Sequence, residues 1–160
     1  MEPRFSYFSE KIVIGLEAKF ISPLSPQANS LQVIPRLWET FNRRMKEIPE
    51  IVGNTCYGLI EEPINKKPSD EISYLACVEA TFADVIPSGM QTQILPAGHY
   101  AVFTHKGSLE NLPQTYRHIY SEWSPTFQGQ LRKGPHLEVY DDRFKPESSS
   151  SEMDICVPII

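Results

Sequence analysis

The residues that could do chemistry gather most densely in one short run, His136-Leu137-Glu138-Val139-Tyr140-Asp141. Read as a strand, its alternation puts Leu137 and Val139 on one face and His136, Glu138 and Tyr140 on the other. A glutamate between two apolar residues has two readings. On the solvated face of an edge strand it is an ordinary charge. On a covered face it is a carboxylate awaiting a partner, because burying a lone charge is costly. Aromatic side chains are available to wall such a group: Trp38, Tyr57, Tyr74, Phe103, Tyr116, Tyr120, Trp123 and Tyr140. Aromatic faces attract cations by roughly 0.5–2 kcal/mol each, so this set with Glu138 suits a small organic cation. Several of the same aromatics, Trp38 and Tyr116 among them, also fit a plain hydrophobic core.

Other catalytic signatures are missing. The chain has no glycine-rich phosphate loop, no H-E-x-x-H and no G-x-S-x-G. Its histidines, His99, His105, His118 and His136, lack metal-ligand spacing, so no metal and no other cofactor is expected. Cys56, Cys77 and Cys156 cannot all pair, form no C-x-x-C, and lie in apolar runs, which reads as buried thiols in a reducing compartment. A net charge of −5 argues against a nucleic-acid binder, which needs a basic excess to neutralise phosphates. The polar first ten residues carry no signal-peptide stretch, and no run approaches the roughly 18 apolar residues of a membrane span. The expectation is a cytoplasmic protein with no membrane contact, a single domain over residues 1–160.

The elements that must position these side chains follow from pattern. Fourteen prolines cluster at joints: Ser22 to Ser30, Glu62 to Asp70 and Phe144 to Glu152. Ile34, Leu37, Trp38, Phe41, Met45 and Ile48 share one helical face. Asn29 or Ser30 can cap that helix, and Pro35 predicts a start at residues 31 to 34, because proline is tolerated in a first turn. Leu112, Tyr116, Ile119, Tyr120 and Trp123 repeat the spacing in a second helix, which Pro125 is expected to close. Strands are expected over Lys11 to Ile21, Thr55 to Glu61, Ser73 to Phe82, Gln91 to His105, His136 to Asp141 and Met153 to Ile159.

An internal repeat organises these elements. Ser30-Leu31-x-x-Ile34-Pro35-x-x-Trp38 returns as Ser108-Leu109-x-x-Leu112-Pro113-x-x-Tyr116. Acids follow in each copy, at Glu61-Glu62 and at Asp141-Asp142, and then Cys77-Val78 and Cys156-Val157. The order strand, helix, strand, strand therefore occurs twice, over about residues 10–82 and 90–160. Pairing two such units predicts an α+β fold: a mixed or antiparallel sheet, two main helices, a pseudo-two-fold axis and a ligand cleft between the halves.

The run Leu95-Pro96-Ala97-Gly98-His99-Tyr100-Ala101-Val102-Phe103-Thr104-His105-Lys106-Gly107 resembles the central motif of the GyrI-like, or AraC-type effector-binding, domains. Leu112-Pro113-x-x-Tyr116-x-x-Ile119-Tyr120-x-Glu122-Trp123 and Pro135 to Phe144 are similar to that family's following helix and strand. Ile34-Pro35-x-Leu37-Trp38, Tyr57-Gly58-Leu59 and the closing Asp154 to Ile159 extend the likeness over nearly the whole chain. The resemblance implies a tandem duplication with a pocket at the pseudo-two-fold for lipophilic cationic drugs. The family's ligand-pairing glutamate falls on Glu138. Members fused to a helix-turn-helix domain are drug-sensing transcription regulators. Here a first strand expected near residue 11 leaves no room for one, so a stand-alone binder without direct nucleic-acid contact is expected. Two alternatives remain. One is a hydrolase of the GyrI-like type, with Glu138 as base for water and Tyr140 or Tyr116 polarising the substrate. The other is a protein-interaction role, with gyrase or a regulator as partner.

Overall fold

The computed structural model describes residues 1–22, 25–61, 67 and 70–160. Most of the proline joint at Glu62 to Asp70 lies outside the described residues, as do Pro23 and Leu24. The strands are β1 (Arg4–Phe8), β2 (Lys11–Ile21), β3 (Ile51–Ile60), β4 (Glu71–Ala80), β5 (Gln91–Leu95), β6 (Gly98–Lys106), β7 (His136–Tyr140) and β8 (Glu152–Ile159). Helix α1 spans Ser30–Arg44. After a 3-10 turn at Leu109–Asn111, α2 (Leu112–Arg117) runs into a π turn (His118–Trp123) and a last short turn, α3 (Ser124–Thr126). The fold is α+β.

All eight strands join one sheet in the order β1-β6-β8-β7-β3-β4-β2-β5, and every pairing is antiparallel, so the mixed sheet is not formed. The order reads the same from either end when each strand is exchanged for the one four places later, with β3 and β7 meeting in the middle. The sheet curls into a half-barrel, and its edges are joined by chain. β1 pairs β6 from Arg4↔Val102 to Phe8↔Gly98, and β2 pairs β5 from Lys11↔Leu95 to Gly15↔Gln91. Both ladders keep one register, interrupted only opposite Pro96 and Ala97. Two long strands thus run past each other, each bending midway from one flank of the sheet to the other.

Three apolar clusters fill the fold. One lies between α1 and the sheet, around Ile14, Phe41, Tyr74 and Val78. A second lies under α2 and the π turn, around Phe103, Ile119, Ile155 and Val157. The third, inside the curl, draws on Val13, Leu59, Cys77, Leu95, Tyr100, Leu137 and Cys156. Cys77 and Cys156 are buried as expected, while Cys56, near the irregularity in the β3–β4 ladder, is only half-buried.

Local chemistry moves several boundaries. Asn29 precedes α1, but its Oδ1 accepts the Ile21 N–H at 2.6 Å instead of capping the helix. That tie starts α1 at Ser30, so Pro35 falls inside the helix and not in its first turn. Pro125 does not close the second helix either. It sits near the start of α3, and the chain turns extended only at Phe127. The segment Gln91 to His105 is two strands, split at Pro96-Ala97, and β1 adds a strand before residue 11.

Candidate functional site

The site is built where β7 meets β3. Glu138 pairs with Gly58 on one side and with Ile155 on the other, pointing to the helical face together with His136 and Tyr140. It is 4% exposed, which decides between its two readings in favour of the covered carboxylate. Three phenols meet it. Tyr74 and Tyr140 each donate to Oε2 at 2.7 Å, and Tyr116 donates to Oε1. Hydrogen bonds to a charged group contribute roughly 1.5–3 kcal/mol each, which offsets part of the several kcal/mol it costs to desolvate an anion. Among the described residues, no Lys, Arg or His forms an ion pair with Glu138; the ion pairs lie elsewhere.

Each donor comes from a different element. Tyr74, fully buried on β4, crosses above Gly58: a Cβ on Gly58 would stand 2.1 Å from the Tyr74 hydroxyl. Glycine in a strand interior commonly marks such a close approach. Trp38, on the inner face of α1, donates its Nε1–H to the Tyr74 hydroxyl at 2.9 Å. Its ring meets Tyr140 edge-on, centroids 5.4 Å apart. From the other side, α2 supplies Tyr116, and the π turn supplies Tyr120, stacked on Tyr116 at 5.9 Å with rings 10° from parallel. The Tyr120 hydroxyl lies 2.6 Å from Nδ1 of His136. Burial drops the His136 imidazole from 6.5 to about 4. Burial, with the Glu138 charge next, pushes the phenols of Tyr74, Tyr116, Tyr120 and Tyr140 well above 10, so they stay protonated donors.

Of the residues named from sequence, Trp38, Tyr74, Tyr116, Tyr120 and Tyr140 stand in this cage around Glu138. Three do not. Tyr57 alternates onto the opposite face, inside the curl, where burial raises its phenol to about 12. Phe103 and Trp123 pack against each other at 4.9 Å in the cluster beneath the π turn. Gly58 and His136 belong to the site, although no ligand-binding role for either follows from sequence patterns. A glycine at mid-strand and a histidine sharing a face with Glu138 are the signals they leave. Aromatic side chains surround Glu138 on its covered face. Two surface pockets of about 500 and 780 Å³ lie elsewhere, and Glu138 lines neither.

Among the described residues no group of three or more His, Cys, Asp or Glu could hold a metal ion, and no helix is long and apolar enough to cross a membrane. The arrangement is a buried acceptor ringed by donors and π faces.

Residues 1–160 match the GyrI-like small molecule binding domain. The transcriptional regulator BrlR of Pseudomonas aeruginosa is 33% identical over 132 residues, 79% of this chain and 46% of that protein. The chain therefore spans about half the length of this relative. The structure of SAV2435 bound to tetraphenylphosphonium superposes with a TM-score of 0.74 at 17% identity, covering 100% of this chain and 94% of that one. The C-terminal domain of EcmrR superposes with a TM-score of 0.67 at 19% identity, covering 99% and 97%. At these identities the likeness to the two structures is one of fold.

Proposed function

We propose a ligand and a mode of capture from one premise: the chain belongs to the GyrI-like small molecule binding domains. The ligand is an amphipathic organic cation. Glu138 supplies its counter-charge, and Trp38, Tyr74, Tyr116, Tyr120 and Tyr140 form its walls. The observation that carries this reading is a carboxylate 4% exposed and held by phenols, with no cationic side chain paired to it among the described residues. Phenols stabilise the anion but leave its charge uncancelled, so a soft cation with aromatic or aliphatic bulk completes the site. The tetraphenylphosphonium held by SAV2435 belongs to this chemical class. We read the mirrored strand order as a duplication, with the pocket on the pseudo-two-fold where β3 and β7 meet. The net charge of −5 favours cations at the surface as well.

Glu138→Gln keeps the shape and one acceptor oxygen while deleting the charge, and the phenol facing its NH2 can turn to accept. The variant's affinity for tetraphenylphosphonium should fall by about ten- to a hundredfold or somewhat more, the scale of coupling between close opposite charges. Triphenylphosphine oxide, neutral and similar in bulk, should lose much less. Equal losses for both ligands, or none, would reject charge pairing. A carboxylate among three phenols is also an acid–base set, which supports a second reading as a hydrolase with Glu138 as base and Tyr116 or Tyr140 as polarising acid. Recovery of the ligand unchanged after incubation separates binder from hydrolase.

A further inference from the structure

The hydrogen bonds to Glu138 are shared unevenly. Oε2 accepts from Tyr74 and Tyr140, whereas Oε1 accepts from Tyr116 alone among the described residues. An ionised carboxylate offers about four acceptor positions, so Oε1 retains capacity for one more donor. The neighbouring phenol is Tyr120, parallel to Tyr116 and one helical turn further along. It does not use that capacity, because its hydroxyl is engaged by His136 Nδ1 at 2.6 Å. His136 is 1% exposed and sits two residues before Glu138 on the same face of β7. Held neutral by burial, its ring can accept at Nδ1 and keep its proton on Nε2. The phenol stacked on Tyr116 is thereby held by an acceptor other than the carboxylate.

We propose that His136 is a specificity-determining residue, which by engaging the Tyr120 hydroxyl reserves Glu138 Oε1 for an N–H of the guest and tunes the site toward protonated amines. The inference rests on the reading of Glu138 as the cation's partner. Coulomb attraction and aromatic walls serve any organic cation alike. Only a protonated amine can also donate a charge-assisted hydrogen bond; a quaternary ammonium or a phosphonium cannot.

Matched probes read this directly: dodecyldimethylamine, protonated at pH 7, and dodecyltrimethylammonium, titrated below their micelle concentrations by calorimetry. The native protein should prefer the protonated amine by about tenfold or more. His136→Leu should bring the ratio of the two affinities close to one, because the freed Tyr120 hydroxyl can turn to Oε1. His136→Gln, whose amide oxygen can still accept from Tyr120, should keep the native preference. The double variant His136→Leu/Tyr120→Phe should recover it, since the competing hydroxyl is gone. A purely structural histidine predicts instead that His136→Leu weakens both probes equally, and that result would overturn the proposal. No preference in the native protein would also overturn it, even if His136→Leu fails to fold. If Glu138→Gln leaves both affinities unchanged, the reading of Glu138 falls first and takes this one with it.

Discussion

Gly58 acts through the hydrogen it carries in place of a side chain. The Tyr74 ring crosses where a Cβ would stand, and the Glu138 carboxylate lies 3.1 Å from the same point. Gly58→Ala should therefore push Tyr74 off Glu138 and strip Trp38 Nε1 of its acceptor, costing about 1–3 kcal/mol of stability. Denaturant unfolding measures that loss, and an unchanged midpoint would mean the cage is looser than its packing. His136 carries a pH signature. Its folded-state value, about 4, lies below the ordinary 6.5. As pH falls below 6.5 the unfolded chain takes up a proton that the folded chain refuses, so stability drops until about pH 4, by on the order of 3 kcal/mol. His136→Gln should flatten that part of the stability profile, which unfolding at pH 7 and pH 4.5 would show. The alternation of β7 made the shared face of His136, Glu138 and Tyr140 readable from residues alone. Which aromatics reach Glu138 was not, because that depends on the small diagonal space over Gly58. Tyr57 shows the limit: its type suits a pocket, and the parity of its position puts it inside the curl.

At the level of elements, periodicity located β2 and the buried face of α1, since both are long and strongly patterned. It missed β1, whose five residues leave Phe5 and Tyr7 largely exposed and so carry no buried stripe. It also fused β5 with β6, because the run stays extended through Pro96-Ala97. The π turn was equally hidden: Tyr116, Ile119, Tyr120 and Trp123 fit a regular α-helix in spacing. The wider turn lets one helix serve two targets. Tyr116 reaches Glu138 at one end, while Trp123 meets Phe103 and Phe127, at 4.9 and 4.7 Å, at the other. Single-turn π segments of this kind occur often at functional sites.

Across the whole molecule, the ends of the chain are tied into the sheet by charge as well as by ladder. Arg4 and Arg143 both meet Asp154 Oδ2 at 2.7 Å, and Thr104 donates to Oδ1. Burial raises the Asp154 carboxyl, but these bonds outweigh it and hold the group below its ordinary range. Deleting residues 1–8 removes Arg4 and uncovers the β6 edge. Amide hydrogen exchange should then quicken along Gly98–Lys106, and unchanged protection there would show that β1 is an ornament of the edge and not its cover.

The continuous register of the two long strands also bears on time. β1 precedes β2 in the chain but borders β6, and β5 precedes β6 but borders β2, so each flank of the sheet borrows its outermost strand from the other. Each flank is completed only when a strand from the other half of the chain is brought alongside it. Among the described residues five of the seven strand pairings join strands that do not follow one another in the chain, the kind of topology that assembles over milliseconds to seconds and not microseconds. Refolding should pass through one slow, concerted step that seats both long strands together.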